Sequence, residues 1–381
     1  MSKWEMMKLG EVATYINGYA FKPSDWGKGG VPIIRIQDLT GNAYETNCFN
    51  GGYSPRYEIN DGDILVAWSA SLGVYEWNGG KALLNQHIFK VVFDKVKVSK
   101  RYFLYAVNKV LLESSNQTHG STMKHITKSR FDNLLIPLPP LDEQKRIAEE
   151  LDKIRELIAK RKSQLQKLDL LVKAKFVEMF GDPVSNPMGW KEGCLSEVIT
   201  FLTSGSRGWS SFFSASGEMF LTIKNVKNNK ILTSNMQYVI APKGKEAERT
   251  KVQPYDLLIS ITADLGRTGV VDKSISEYGA YINQHLSLIR LDMKKVNPYY
   301  ISYFLETPMG KKQFESKNQS AVKAGLNFEA IKSLLVLYPP LNLQNQFADY
   351  VTKVEQAKTK LQQGLEQLET LYKARLQEYF G

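Results

Sequence analysis

The sequence predicts an α+β protein with two mixed globules joined by two long antiparallel helices. The observations behind this prediction are a long segment that occurs twice, a heptad pattern in both copies, and short β-branched strands before each copy. A length of 381 residues agrees with this organisation, because two domains of roughly 150 residues leave room for connecting helices.

The repeated segment covers residues 139–181 and 339–381, which align without a gap at an offset of 200. Both copies begin with Pro-Pro-Leu and end with Phe-Gly. A Pro-Pro pair disfavours helix before it, and glycine is a common residue just after a helix. Each copy is therefore expected to form one helix of roughly 40 residues, which spans roughly 60 Å.

Apolar residues alternate at spacings of four and three along both copies, which is the heptad pattern of a left-handed coiled coil. The alternative is two independent surface helices, but their matched length and register favour pairing. A pseudo-twofold relation between the halves makes the helices antiparallel and the chain nearly cyclic. The residues expected to pack between the helices are Ile147, Leu151, Ile154, Ile158, Leu165, Leu168, Val351, Val354, Leu361, Leu365 and Leu368.

Each globule is expected to contain short strands bounded by turn residues. Helices are predicted over 99–113 and 298–305, the second beginning at Asn297 before a proline. The predicted segments are 1–138, 139–181, 182–338 and 339–381. The strand candidates are Val31–Leu39, Asp63–Trp68 and Leu83–Phe93 in the first globule and Met219–Val226, Asp256–Ile261 and Ala280–Leu291 in the second.

The net charge of +11 fits a polyanionic partner, although a modest excess of charge also serves solubility. The two globules carry net charges of +4 and +5, whereas the two helical segments carry +2 and 0. If nucleic acid is the partner, the globules are therefore expected to hold it and the helices to space them.

The sequence contains no motif for catalysis or for a bound cofactor. It has neither a P-loop nor a G-x-G-x-x-G fingerprint, and the four histidines lack the spacing of metal ligands. The two cysteines lie far apart, which favours a reducing compartment. No signal peptide or membrane-length apolar run is found, so the chain is expected to be cytoplasmic.

Several motifs occur in the same order in both halves. Residues 137–144 read Pro-Leu-Pro-Pro-Leu-x-x-Gln, residues 337–344 read Leu-Tyr-Pro-Pro-Leu-x-x-Gln, and residues 173–181 contain Lys-Ala-x-Phe and end in Phe-Gly. Each globule also begins with a tryptophan followed by Leu-x-Glu-Val. With these motifs, the whole chain resembles the specificity subunit of a type I restriction-modification system.

The resemblance implies a DNA-recognition subunit without catalytic residues, metal or cofactor of its own. Each globule would be a target-recognition domain for one half of a bipartite, asymmetric site in double-stranded DNA. The helices would set the spacing, which follows whole DNA turns of about 34–36 Å, and would dock two modification subunits. Those subunits would bind S-adenosylmethionine, and restriction subunits using ATP and Mg²⁺ would complete the nuclease. No membrane partner is implied.

Candidate DNA contacts are mainly basic and amide side chains, because these side chains commonly bind base edges and phosphates. Residues 120–125 are expected to form a loop that enters the groove. The candidates are Lys22, Arg35, Gln37, Lys124, His125, Lys128 and Arg130 in the first globule and Arg207, Lys224, Asn225, Arg267 and Lys323 in the second.

The tripeptide Asn-Gln-His at 85–87 recurs at 283–285, inside apparent strands. It could touch DNA, but recurrence in both globules favours a scaffold role, because two readers of different half-sites should differ where they read. The second globule has Ser-Gly-Ser-Arg at 204–207 where the first has Asn-Gly-Tyr-Ala-Phe at 17–21, so an aromatic residue is lost.

Two other functions remain as alternatives. The chain could be a stand-alone methyltransferase or nuclease with an unrecognised site, which binding of S-adenosylmethionine or cleavage of DNA by the pure chain would favour. It could also be a scaffold whose globules bind protein, which an absence of salt-sensitive DNA binding would favour.

Overall fold

The computed structural model describes residues 4–116, 125–317 and 325–381. The chain forms two compact units, and each long helix contributes residues to both. Unit 1 comprises Met1–Ser163 and Gln362–Gly381, and unit 2 comprises Gln164–Leu361. The division into four segments, with the helices as segments of their own, stays a prediction.

Unit 1 contains ten strands and four short or medium helices within its described residues, besides its share of the two long helices. Short 3₁₀ turns lie at Pro23–Asp25 and Pro55–Tyr57. The strands are β1 (Met6–Lys8), β2 (Thr14–Asn17), β3 (Val31–Ile34), β4 (Cys48–Phe49), β5 (Glu58–Ile59), β6 (Ile64–Ala67), β7 (Gly73–Glu76), β8 (Ala82–Leu84), β9 (Ile88–Val92) and β10 (Leu135–Pro137). The helices are α1 (Leu9–Val12), α2 (Ile36–Thr40), α3 (Lys100–Asn116) and α4 (Lys128–Asp132), followed by the long α5 (Leu141–Phe180).

Two four-stranded sheets organise unit 1. An antiparallel sheet has the order β2-β9-β6-β7, and a mixed sheet has the order β4-β3-β8-β5. In the mixed sheet β3 and β8 run parallel, with Ile34 opposite Leu84. All four residues of β6 are buried, and β-branched and aliphatic side chains of this kind suit a strand covered on both faces. Tyr102 and Phe103 of α3 lie in the same core as the antiparallel sheet.

Unit 2 repeats this plan with more elements. Short 3₁₀ turns lie at Leu195–Glu197, Trp209–Phe212 and Ile223–Asn225. The strands are β11 (Lys191–Cys194), β12 (Ile199–Ser204), β13 (Phe213–Ser214), β14 (Glu218–Leu221), β15 (Val226–Lys227), β16 (Lys230–Ile231), β17 (Gln237–Val239), β18 (Leu257–Ser260), β19 (Thr268–Val270), β20 (Ala280–Ile282), β21 (Leu286–Leu291) and β22 (Leu335–Tyr338). The helices are α6 (Lys245–Thr250), α7 (Lys273–Tyr278), α8 (Pro298–Leu305), α9 (Pro308–Ser316), α10 (Phe328–Lys332) and the long α11 (Leu341–Phe380).

The antiparallel sheet of unit 2 corresponds strand by strand to that of unit 1, whereas the mixed sheets share three strands, with β17, β14 and β20 in the places of β4, β3 and β8. The antiparallel sheet has the order β12-β21-β18-β19, and the mixed sheet has the order β13-β17-β14-β20. Here β14 and β20 run parallel, with Leu221 opposite Ile282. These two residues therefore take the places of Ile34 and Leu84 in unit 1, which fixes the equivalence of the loops that follow.

A buried glutamine lies in the first turn of each long helix. The Oε1 atom of Gln144 accepts a hydrogen bond from the backbone N–H of Ser99 (2.9 Å), and that of Gln344 accepts one from Asn297 (2.8 Å). In both units the Nε2 group donates to the carbonyl of the first proline of the Pro-Pro pair (2.8 Å). The glutamine of the repeated Pro-Pro-Leu-x-x-Gln motif thus satisfies a carbonyl at the start of the long helix and an N–H group just before α3 or α8.

Each unit packs the beginning of one long helix against the end of the other, so the helix segments within it are antiparallel. In unit 1, Arg375 pairs with Glu150 (2.9 Å), and the ring of Phe380 lies 5.3 Å from that of Tyr102. In unit 2, the ring of Phe176 lies 5.4 Å from that of Phe347. The predicted α+β fold class with two long antiparallel helices is confirmed.

The residues predicted to pack between the helices are buried or half-buried. Whether each one contacts the opposite helix stays a prediction. Six are buried, namely Ile147, Leu151, Ile154, Val351, Val354 and Leu365. Five are half-buried, namely Ile158, Leu165, Leu168, Leu361 and Leu368.

The predicted helices at 99–113 and 298–305 are confirmed as α3 and α8. The side chain of Asn297 caps α8 as expected, because its Oδ1 accepts from the N–H of Tyr299 (2.9 Å). None of the helices in the described ranges combines the length and the apolar composition that a membrane span requires.

Four predicted strands are wrong in extent. Val31–Leu39 comprises β3 and the helix α2, and Met219–Val226 comprises β14, a 3₁₀ turn and the first residue of β15. Leu83–Phe93 and Ala280–Leu291 each divide into two strands, so the Asn-Gln-His tripeptides form connections between strands and do not lie inside them. In each case a polar side chain hydrogen-bonds to nearby backbone and stops the strand, which β-propensity alone does not register.

Candidate nucleic-acid interface

A helical turn follows the parallel strand of the mixed sheet in both units and presents one exposed side chain. In unit 1 the N–H of Arg35 donates to Oδ2 of Asp38 (2.7 Å), and in unit 2 the N–H of Thr222 donates to Oδ1 of Asn225 (2.9 Å). These equivalent capping bonds fix the turns that begin where β3 and β14 end.

The Asn-Gln-His tripeptides lie beside these turns. The backbone N–H of Asn85 donates to the carbonyl of Ile34 (3.1 Å), and that of Asn283 donates to the carbonyl of Leu221 (2.9 Å). The asparagine Oδ1 then accepts from the N–H of the histidine two residues later, at 3.4 Å in unit 1 and 3.1 Å in unit 2. Because the asparagine side chain supports the connection in both units, a scaffold role explains its recurrence.

A glycine is required opposite each tripeptide. A Cβ atom at Gly18 would lie 2.1 Å from the carbonyl oxygen of Asn85, and one at Gly205 would lie 2.1 Å from that of Asn283. The residues that follow the two glycines also make equivalent parallel bridges to these asparagines. The two loops therefore share one backbone arrangement, although Tyr19 in the first is replaced by a serine in the second.

An alanine with a left-handed backbone conformation is a further feature that occurs in both units. Ala70 has φ of 55° and Ala263 has φ of 58°, values that cost an L-residue about 1 kcal/mol or more. Ser69 forms an isolated bridge with His125, and Thr262 forms one with Gly325. Each turn thus pairs with a residue shortly before α4 or α10.

In unit 1 these features surround an open cavity of about 860 Å³, which we call the unit 1 cavity. Its wall combines aromatic rings with hydrogen-bonding side chains. The lining residues are Phe21, Trp26, Arg35, Ile36, Gln37, Thr40, Asn42, Trp68, Ser69, Ala70, Ser71, Asn85, Gln86, His87 and His125.

Arg35 is held in the wall of this cavity. Its guanidinium carbon lies 5.6 Å from the ring centroid of Trp26, and its Nη2 donates to the carbonyl of Glu45 (3.1 Å). Its Nε lies 3.6 Å from Oδ2 of Asp38, and the side chain is 15% exposed. The guanidinium is therefore fixed before any ligand arrives, and only a small part of it faces the solvent.

In unit 2 the capped turn and the Asn-Gln-His connection line an open cavity of about 550 Å³, which we call the unit 2 cavity, whereas Ala263 lies outside this lining. Its wall contains amide, hydroxyl and lysine side chains and lacks the tryptophans of unit 1. The lining residues are Thr222, Ile223, Lys224, Asn225, Ser234, Asn235, Met236, Gln237, Asn283 and His285.

Three of the predicted contacts in unit 1 meet in its cavity, namely Arg35, Gln37 and His125. Lys22 is exposed beside a 3₁₀ turn, away from that lining. Lys128 pairs with Asp132 (2.9 Å) on α4, where Arg130 is also exposed. Lys124 lies outside the described residues, as does most of the loop predicted at 120–125.

Two of the predicted contacts in unit 2 line its cavity, namely Lys224 and Asn225. Asn225 is buried, and its amide bonds to Thr222 and to the carbonyl of Leu232 (3.0 Å), so its observed role is structural. Arg267 lies apart, in an ion pair with Asp264.

The remaining two predictions in unit 2 lie elsewhere. Arg207 is exposed outside the unit 2 cavity, and Lys323 lies outside the described residues. No contact of any of the twelve candidates with DNA is tested by the geometry alone, and all of them stay predictions.

Sequence similarity decides the family. The profile described as "Type I restriction modification DNA specificity domain" matches residues 1–168 and 187–370. The chain belongs to this type I specificity family. The expected resemblance is confirmed, and with it a role in DNA recognition within a type I restriction-modification system.

A curated relative and two solved structures agree with this assignment. The type I restriction enzyme EcoBI specificity subunit of Escherichia coli is 25% identical over 382 residues, covering 93% of this chain and 79% of the relative. A chain from a study of complex assembly and conformational transition of the type I system has a TM-score of 0.62 at 19% identity, with 99% and 97% of the two chains covered. The type I S subunit from M. genitalium has a TM-score of 0.60 at 14% identity, with 100% and 96% covered. These two structures share the fold.

The specificity-family fold also brings together residues that the sequence analysis missed. Trp26 and Trp68 line the unit 1 cavity with Asn42, although none of them lies in a basic stretch. Trp26 is 41% exposed, which is unusual for so large an apolar side chain. No motif or charge pattern in the sequence marks either tryptophan as part of a site.

Across residues 4–116, 125–317 and 325–381, no three His, Cys, Asp or Glu side chains are grouped to hold a metal ion. His285 instead bonds through Nδ1 to the hydroxyl of Thr262 (2.8 Å), and its Nε2 faces the Gln284 amide (3.2 Å).

Proposed function

We propose that this chain recognises a bipartite, asymmetric DNA sequence for a type I restriction-modification complex. Each unit binds one half of the site through its cavity and the surface around it. The long helices set the distance between the half-sites and dock two modification subunits. The chain contributes sequence recognition and no catalysis.

One observation carries this proposal, namely that the same supporting contacts occur in both units while the side chains lining the two cavities differ. The capped turn, the Asn-Gln-His connection and the left-handed alanine occur in both units at equivalent places. The cavities that the turn and the connection line carry different side chains in the two units. A duplicated scaffold with different linings is what recognition of two unlike sequences requires, because sequence is read by side chains at base edges.

The chemistry of the complex is assigned to the partner subunits. Modification subunits bind S-adenosylmethionine and methylate the DNA, and restriction subunits use ATP and Mg²⁺. These partners meet the DNA in the cytoplasm. The net charge of +11 supports binding to DNA phosphates, which makes the affinity fall as the salt concentration rises.

The test is a map of methylated bases in the host genome with the gene intact and with the gene deleted. A split, asymmetric motif that disappears on deletion is the expected result. If every methylated motif persists after deletion of an expressed gene, the proposed function is wrong. The purified chain would then be tested for binding of S-adenosylmethionine and for cleavage of DNA.

The role of the helices has a separate test, in which seven residues are removed from each helix within unit 1. Residues 156–162 and 365–371 are suitable, because Lys162 of the first segment pairs with Glu369 of the second (2.8 Å). The deletion shortens each helix by about 10 Å, or about three base pairs of DNA. We expect a shorter spacer between unchanged half-sites. An unchanged spacer would contradict the proposed spacing role.

A further inference from the structure

The turns that follow β3 and β14 expose one side chain each at the same position. The equivalence rests on the strand registers that place Ile34 opposite Leu84 and Leu221 opposite Ile282. Three residues beyond each register point lies the exposed residue, which is a glutamine at 37 in unit 1 and a lysine at 224 in unit 2.

At this position a hydrogen bond holds the backbone of the turn, while the exposed side chain has no hydrogen-bond or ion-pair partner among the described residues. In both units a capping hydrogen bond closes the turn, from residue 35 to 38 and from residue 222 to 225. Within the described residues, neither the Gln37 amide nor the Lys224 ammonium forms a side-chain hydrogen bond or an ion pair. Each side chain lines the open cavity of its own unit.

The two head groups differ in what they recognise on a base pair in the major groove. A carboxamide offers N–H donors, which match N7 of adenine, and an oxygen acceptor, which matches the N6 amino group. An ammonium offers donors only, which match O6 and N7 of guanine. The same position in the two units therefore carries opposite base preferences.

We propose that Gln37 and Lys224 are equivalent specificity-determining residues, with Gln37 selecting an adenine in one half-site and Lys224 selecting a guanine in the other. This inference rests on the proposed function, since it requires each unit to bind its own half-site. It adds the identity of one base contact in each.

Exchange of the two head groups tests the inference in the complete modification complex. Gln37→Lys should convert one A·T pair of one half-site to G·C and leave the other half-site unchanged. Lys224→Gln should make the reciprocal change in the second half-site. The measurement is the methylated motif in cells that carry each variant gene together with the genes for the modification subunits.

Truncation of the Gln37 side chain gives a second measurement, which detects a loss of base discrimination and does not require the variant to recognise a new base. For the purified complex with Gln37→Ala, we compare binding to the native site and to duplexes that each carry one changed base pair. Discrimination should fall by roughly 5- to 150-fold at one A·T position of one half-site and stay unchanged elsewhere. Undiminished discrimination at every position would overturn the inference.

The matched controls carry the same charge changes at exposed positions outside both cavities. Gln253→Lys adds a positive charge and Lys243→Gln removes one, and both residues are exposed. Neither should alter either half-site. If the exchange variants behave like these controls while the motif still depends on the gene, the inference fails and the proposed function stands. If no motif depends on the gene, the proposed function itself fails.

Discussion

Units 1 and 2 share their supporting contacts and differ in the cavities that those contacts surround. Gln144 and Gln344 make the same bonds at the two helix starts, and Tyr102 and Tyr300 both donate their hydroxyl protons to backbone carbonyls, at 2.8 and 3.0 Å. Tryptophan, phenylalanine and arginine line only the unit 1 cavity, whereas lysine and methionine line only the unit 2 cavity. Shared side chains satisfy backbone groups, whereas the exposed differing ones are available to a partner.

The physical reason for this division is that backbone groups are the same in every sequence. A buried N–H or C=O must be paired whatever DNA the unit binds, so the side chain that pairs it has little freedom to change. An exposed side chain without such a bond is free to change, and the equivalent position holds Gln37 in unit 1 and Lys224 in unit 2.

The largest expected difference in stability between the units concerns an ion-paired aspartate just before β6 in unit 1 and β18 in unit 2. In unit 2, Asp256 is 2% exposed and pairs with Arg290 (3.1 Å). In unit 1, the equivalent Asp63 is 23% exposed and pairs with Lys90 (2.9 Å). Arg290→Met should destabilise unit 2 by about 3 kcal/mol, because it leaves a buried charge unpaired, whereas Lys90→Met should cost unit 1 about 1 kcal/mol. Hydrogen exchange of β18 and β6 measures the two effects separately.

The Arg290→Met defect should also depend on pH. Burial raises the pKa of Asp256, and the arginine offsets only part of that rise. Stability associated with the raised pKa is present below the pKa of the unfolded chain and is lost as the pH rises through the folded value. Removal of Arg290 raises the folded pKa further, so the defect should be larger at pH 8 than at pH 4. A defect of equal size at both pH values would show that Asp256 ionisation is not its cause.

Equal effects are expected at the two helix starts. Gln144→Leu and Gln344→Leu should each destabilise their unit by about 2 kcal/mol, because each leaves a backbone N–H and a carbonyl without their partner. Urea denaturation followed by hydrogen exchange of α3 and α8 measures both changes. Gln166→Leu, at an exposed position on α5, is the matched control and should change stability by less than about 0.5 kcal/mol. A clearly smaller loss at one start would show that the duplicated contacts are not equivalent.

Much of the architecture could be predicted from sequence because its signals are long or repeated. The heptads cover residues 147–179 of α5 and 347–379 of α11, and the Pro-Pro pairs mark the starts of these helices. The cap of Asn297 on α8 is a local rule that needs no tertiary information. These features depend on periodicity or on neighbours in the chain, both of which the sequence contains.

The site was harder to predict because its residues come together from separate loops. Arg35 looked like part of a strand, but its N–H is bonded to Asp38, and a helical turn begins there. Asn225 is predicted as a DNA contact because of its amide, yet that amide supports the equivalent turn. Trp26 and Trp68 lie in neither a motif nor a basic stretch, and only the fold brings them to one cavity. Composition indicates which side chains suit DNA, but not which backbone groups they must first satisfy.

The smallest expected effect tests whether one difference between the units lies in the backbone alone. Before β18, Tyr255 has φ of 70° at the position where unit 1 has Gly62 with φ of 80°. A Cβ at Gly62 would have no atom within 4 Å, so Gly62→Ala tests the backbone preference without a clash and should destabilise unit 1 by about 1 kcal/mol. Tyr255→Gly should stabilise unit 2 by less than about 1 kcal/mol, because the added freedom of glycine in the unfolded chain offsets part of the relieved strain.

Thermal denaturation together with hydrogen exchange of β6 and β18 measures both changes. If Tyr255→Gly instead destabilises unit 2, the contacts of the tyrosine side chain contribute more to stability than its positive φ costs. Since Tyr255 lies in the turn that leads to the buried Asp256, such a loss would identify this turn as a second place where the units diverge in packing. The shared scaffold would then have to be restricted to the capped turns, the Asn-Gln-His connections, the left-handed alanines and the helix starts, where the same bonds are observed on both sides.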